Sequence, residues 1–212
     1  MIGKIMDYDG EKLTIVAPYN DTQGLVRKRI TQCEIRLDDG RRISADQRKK
    51  IYATLRDISD YTGHTVEDLK DYTKADYIAE TGDDWFSLSD CDMTTARLYL
   101  EHIIEFCVYW DIPCRDSLLD RTPDVQRYVW YCLSQKKCCI CGKRCQLHHV
   151  DAVGMGRDRH DIIHKGMRVL PLHWKYHQEA HQIGTTAFLD KYHLEPVKLD
   201  DCLCKVYGLK NF

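Results

Sequence analysis

Two histidine pairs constrain this chain more than any other feature: Leu147-His-His-Val150 and His177-Gln-Glu-Ala-His181. Histidines four apart share a face only on a helix. Adjacent histidines point to opposite sides on a strand. The spacing therefore predicts a strand at 147–150 and a helix through 177–181. The two helical imidazoles can converge on one metal ion at about 2.0–2.1 Å. On the strand, one histidine can face that ion while its neighbour faces a substrate. Val169-Leu-Pro-Leu172 reads as a returning strand, so the order is strand, loop over 151–168, strand, helix.

The eleven cysteines support metal rather than disulfide chemistry. Cys138, Cys139, Cys141 and Cys145 crowd into eight residues, Cys33, Cys91, Cys107, Cys114 and Cys132 are scattered, and Cys202 and Cys204 lie further on. An odd count, dense Cys beside dense His and no secretion signal point to metal. The first ten residues lack the apolar run of a signal peptide, and no stretch approaches the roughly 18 uncharged apolar residues of a spanning helix. The expectation is a soluble cytoplasmic protein with no membrane partner.

The formal net charge of −2 conceals an asymmetry. Residues 1–130 carry 18 Lys and Arg against 25 Asp and Glu; residues 131–212 carry 13 against 8, with eight of the ten histidines. Binding a polyanion needs only a local positive surface. Lys136, Lys137, Lys143, Arg144, Arg157, Arg159 and Lys165 surround the candidate ligands; singly each is an ordinary surface cation, and around a phosphodiester they would read as backbone contacts, which position a strand without reading its bases.

The first forty residues read as β, with short runs at Lys12–Ala17 and Cys33–Leu37 and a turn at Asp39-Gly40. Arg27, Lys28, Arg29, Arg36, Arg41 and Arg42 flank them. Ser44-Ala-Asp-Gln47 has the form of a capping box, Ile51, Leu55 and Ile58 give one apolar face, and Gly63 suits a helix stop. Arg48, Lys49 and Lys50 sit at the end of this helix that disfavours cations. They are either a solvated face or contacts to an anionic ligand. Thr65 begins a second helix, and a longer one runs from about Thr94 to Trp110, with Pro113 past its end. Thr122-Pro123-Asp124 starts another, with Pro at the first helical position, ending near Ser134.

Two blocks in this part resemble the lambda Orf (NinB) family of phage recombination mediators. One is Ile43-Ser-Ala-Asp-Gln-Arg-Lys-Lys-Ile-Tyr-Ala-Thr-Leu-Arg-Asp-Ile-Ser59; the other is Phe86-Ser-Leu-Ser89 followed by Met93-Thr-Thr-Ala-Arg-Leu98. The resemblance implies a homodimer that binds single-stranded DNA and cooperates with the host single-strand-binding protein.

Residues 136–182 resemble the HNH endonucleases, the ββα-metal fold. The double histidine, a preceding Cys pair and Arg168-Val-Leu-Pro-Leu-His-Trp-Lys-Tyr-His177 carry the likeness. It implies that His148, His177 and His181 hold a divalent metal such as Mg²⁺ or Mn²⁺. It makes His149 the general base that deprotonates a water attacking the scissile phosphate, giving 5′-phosphate and 3′-hydroxyl ends. Imidazole suits that role, with an ordinary pKa of about 6.5.

The chain departs from the family pattern twice. Arg168 stands where the family has an Asn or His that orients the base. Arg cannot accept the same hydrogen bond; it could hold a phosphate, or His160 or His164 could do the orienting. The family's second zinc pair falls on His173 and Tyr176, so Cys138, Cys141, Cys145 and His173 become the expected structural Zn²⁺ set, with Cys139 a buried small residue.

The expected architecture is α+β: a NinB/Orf-like DNA-binding and dimerisation domain over 1–135, then an HNH domain with a C-terminal extension over 136–212. The expected function is metal-dependent hydrolysis of single-stranded or branched DNA in phage recombination or replication. The alternative is a non-catalytic single-strand-binding mediator whose HNH fold is a zinc-stabilised clamp.

Overall fold

A computed structural model of the chain describes residues 4–16, 40–151 and 163–210. The expected strand at 33–37, the cations at 27–29 and 36, and Arg157, Arg159 and His160 lie outside the described residues. Within them the fold is mixed α/β, with eight helices and two small sheets. None of these helices is long and apolar enough to cross a membrane.

The first sheet is a hairpin of β1 (Lys4–Tyr8) and β2 (Leu13–Val16), antiparallel. β2 matches the expected run and β1 was not foreseen. Its register shifts between Ile5 and Asp7, which breaks the two-residue period a strand otherwise shows in sequence.

α1 spans Ala45–Thr62 and begins as its sequence requires. The Ser44 Oγ accepts from the Gln47 N–H at 3.1 Å, and the Gln47 Oε1 accepts from the Ser44 N–H at 3.0 Å. Gly63 closes the helix with a left-handed φ of 79° and an N–H to the Ser59 carbonyl at 2.8 Å, a conformation that costs glycine little. Ile51, Leu55 and Ile58 are fully buried. α1 packs on α2 (Val66–Thr81) and α3 (Met93–Tyr109).

α3 is capped by Asp92 through the Thr95 N–H at 2.8 Å, just ahead of the expected Thr94. After a short α4 (Leu118–Arg121), α5 spans Val125–Ser134. Pro123 is not at its first helical position, as the sequence suggested. Asp124 is the N-cap, because its carboxylate accepts from the Arg127 N–H at 2.9 Å, which leaves the proline one residue outside.

The second sheet is antiparallel, in the order β3 (Gln146–His149), β4 (Arg168–Leu172), β5 (Val197–Lys198). α6 (Trp174–Ile183) packs on β3 and β4, followed by α7 (Thr185–Tyr192) and α8 (Asp201–Tyr207). α5 touches α3 on one side and β4, β5 and α8 on the other. One apolar core therefore runs from Ile51 and Ile104 through Val129 and Leu133 to Leu170 and Phe188.

Candidate metal centre and hydrolytic site

The β3–β4 register sets the site. His148 faces Leu170 and His149 faces Val169 across the pair, so the two imidazoles leave on opposite faces. His148 turns toward α6. Its ring lies 4.9 Å from that of His177 and 5.0 Å from that of His181, centroid to centroid. The helical pair face each other through their Nε2 atoms at 3.3 Å. One nitrogen from each of the three residues falls in a group whose members all lie within 4.8 Å of one another.

Burial grades across this group. His148 is buried, His177 half-buried and His181 exposed, so the centre opens to the surface. Both ring nitrogens of His148 are buried without a hydrogen-bond partner. An unsatisfied buried polar atom carries a real cost, and an ion ligated there removes it for one of the two nitrogens. Burial, reinforced by the neighbouring histidines, lowers the His148 pKa from the ordinary 6.5 to about 4. The ring is thus neutral, as a metal ligand must be. Residues and geometry fit a divalent cation with three protein ligands and an open side.

Gln146 completes the arrangement and was not singled out in sequence. It lies two residues before His148, on the same strand face, and its Oε1 meets the His177 Nδ1 at 2.8 Å. Pinning one ring nitrogen turns the other toward the centre. The two-residue strand period was the signal that could have found it.

His149 lies across the strand, half-buried, with Nε2 at 3.1 Å from the His164 Nδ1. Burial, with His164 adding to it, holds its pKa below the ordinary value, while Asp151 opposes the shift. His164 is itself held by backbone bonds: its N–H donates to the Lys210 carbonyl at 3.0 Å, and its carbonyl accepts from the Met167 N–H at 3.0 Å.

Arg168 is committed elsewhere. Its Nε and Nη2 bind Asp151 Oδ1 at 3.0 and 2.7 Å, and its backbone N–H binds Oδ2 at 2.8 Å. The Arg168 guanidinium accordingly holds the Asp151 carboxyl below the usual carboxylate range. This contact closes the base of the 151–168 loop rather than touching His149.

The thiols gather only in part. Cys138 and Cys141 form a tight knuckle: the Cys138 N–H donates to the Lys143 carbonyl at 2.7 Å, and the Gly142 N–H to the Cys138 carbonyl at 2.9 Å. Burial pushes the Cys138 thiol up to about 11, against the backbone N–H groups of His173, Cys141 and Ile140, which favour its thiolate. The structure brings His173, through its backbone, to this knuckle. Cys145 is not brought there; its Sγ pairs with the Tyr207 hydroxyl at 3.3 Å. Cys138, Cys141, Cys145 and His173 thus form no group of three ligand atoms within 4.8 Å. Cys139 is fully buried, as expected.

Of the expected DNA contacts, Arg48 binds carbonyls of its own fold, Nε to Leu88 at 2.9 Å and Nη2 to Ser89 at 2.7 Å. Lys50 pairs with Asp46 at 3.3 Å. Lys49 and Arg144 are exposed. Asp76, Glu80 and His102 also cluster. There each nitrogen of His102 already faces a carboxylate, at 3.2 and 3.3 Å, which clamps α2 to α3.

Comparison with known proteins gives one result that covers most of the chain. A family model described as "Putative HNHc nuclease" matches residues 19–210. No curated protein matches, and no solved structure does.

Proposed function

Because the chain belongs to the HNHc nuclease family, we propose that it is a metal-dependent endonuclease hydrolysing phosphodiester bonds of DNA. One observation carries this: three convergent histidines, with the nitrogens of the buried one unsatisfied, stand back to back with a fourth histidine free of that centre. His148, His177 and His181 would hold the ion, and Gln146 would orient His177. A divalent ion there supplies positive charge to the phosphoryl and leaving oxygens.

The chain's own residues do the rest. His149 presents Nδ1 to the attacking water, since its Nε2 is engaged by His164. With the proton on His149 Nε2 donated to His164 Nδ1, the free Nδ1 is basic. When it takes the water's proton, the resulting imidazolium keeps its Nε2–H bond to His164. His164 thus acts as a positioning residue, and Arg168 as the clasp of the loop that carries it.

The non-catalytic reading drew on Arg168 in the orienting position. His164 at 3.1 Å from His149 supports the enzymatic reading instead. We further propose a phage recombination or replication setting, with residues 1–135 contributing dimerisation, single-strand binding and contact with a host single-strand-binding protein, as the lambda Orf resemblance implies. Plasmid nicking with and without Mg²⁺ or Mn²⁺ tests the activity. Intact plasmid with either metal, at saturating protein, would refute it.

A further inference from the structure

A cavity of about 830 Å³ lies between α5 and the edge formed by β4 and β5. We propose that it receives one unpaired nucleotide of the substrate strand beside the scissile phosphate, with the base against Trp130 and a phosphate at Lys198. The phrase "beside the scissile phosphate" rests on the nuclease reading above; the nucleotide site itself does not.

Arg168 joins the two places. It lines the cavity, and its carboxylate partner Asp151 lies two residues past His149. Lys198 is directly opposite Arg168 across the β4–β5 pair. Like charges in that relation repel. Asp151 binds Arg168 and its charge also reaches Lys198, but Lys198 makes no hydrogen bond or ion pair within contact distance among the described residues. A phosphate at this end would pair with Lys198.

Trp130 supplies a preset wall. It is half-buried, and its Nε1–H donates to Asp200 Oδ2 at 2.8 Å, which fixes the ring before anything binds. An aromatic face accepts any base by stacking. The charge balance limits how much strand enters. Arg127, also in the lining, is spent on Glu105 at 2.8 Å and Glu101 at 3.2 Å, while Glu195 lines the cavity as well. A run of phosphates is repelled there; one phosphate at the Lys198 end is not. The volume falls in the roughly 300–1,000 Å³ range of small-ligand sites. A base stacked in a duplex cannot reach Trp130, so the nucleotide must be unpaired.

The test uses full-length protein carrying His149→Ala, without metal, and fluorescence anisotropy with a labelled single-stranded oligonucleotide and a blunt duplex of equal length. The single strand should bind more tightly. Trp130→Ala should weaken single-strand binding about 5–150-fold and leave duplex binding unchanged. Trp130→Phe, which keeps a ring and loses the Asp200 bond, should retain most of the affinity. Lys198→Gln should lower the log–log salt slope on single strands by about 0.7. Unchanged single-strand affinity in Trp130→Ala, equal losses on duplex, or a Phe variant as weak as Ala would overturn the site. Plasmid nicking by the parent is read separately. Intact plasmid together with this binding pattern would refute the nuclease reading and leave the nucleotide site standing.

Discussion

His148 and His149 are adjacent and chemically identical, yet the β3 pleat turns one toward His177 and His181 and the other toward His164. His149→Ala should lower the nicking rate by about 10²–10⁴-fold with bound metal retained; equal rates in a timed nicking assay would remove it from the mechanism. His164→Asn places an acceptor where the imidazole Nδ1 sits, so it should keep most of the activity. His164→Leu should cost on the order of 100-fold in kcat with little change in KM. Both proteins should melt near the parent temperature, which separates positioning from folding. His148 carries a pH signature. Its folded pKa is depressed from 6.5 to about 4, so the unfolded chain takes up a proton first as pH falls. Its contribution to stability is fully present above pH 6.5 and is lost progressively toward pH 4. Urea titrations of metal-free protein across that window should show the slope, and His148→Gln should lose that part of it.

At the scale of elements, short connections fix what the strands and helices present. The Asp151–Arg168 fork ties the two ends of the loop together, so that His164 returns to β3. In the cysteine knuckle Gly142 takes a φ of 68°, which admits the turn between Cys141 and Lys143. The two thiols there should respond differently to truncation. Cys138→Ala opens a gap at a fully buried site, at a cost of about 0.5–3 kcal/mol. Exposed Cys141→Ala should stay within about 0.5 kcal/mol. Equal and severe losses from both, together with zinc in the purified protein, would instead mark a closed metal set. The helices of the first part were legible because their signals are local: Ser44 and Gln47 cap α1, and Ile51, Leu55 and Ile58 mark its buried face. Pro123 misled by one residue because Asp124 offered a better cap.

In the whole molecule, α5 is a shared wall. Tyr128, Val129, Cys132 and Leu133 are buried, and each fully buried apolar side chain contributes about 1.5–3 kcal/mol. A fragment starting at residue 136 exposes the β4, β5 and α8 surface that α5 covers, and it should be unfolded by circular dichroism. A fragment starting at residue 122 retains the helix and should fold cooperatively. Cooperative unfolding of both would show that the second part needs no α5.

The sequence by itself determined the convergence of His148, His177 and His181, the strand–loop–strand–helix order and the capped helices of the first part. Each follows from spacings of a few residues, which the periods of strand and helix translate directly into shared faces. Tertiary structure alone decided the partners that meet across long stretches of chain. His164 reaches His149, Arg168 closes on Asp151, Gln146 meets His177, Cys145 turns to Tyr207, and α5 brings Trp130 against the β4–β5 edge. No local period encodes such contacts, because packing and hydrogen-bond satisfaction across the whole core choose among chemically equivalent candidates.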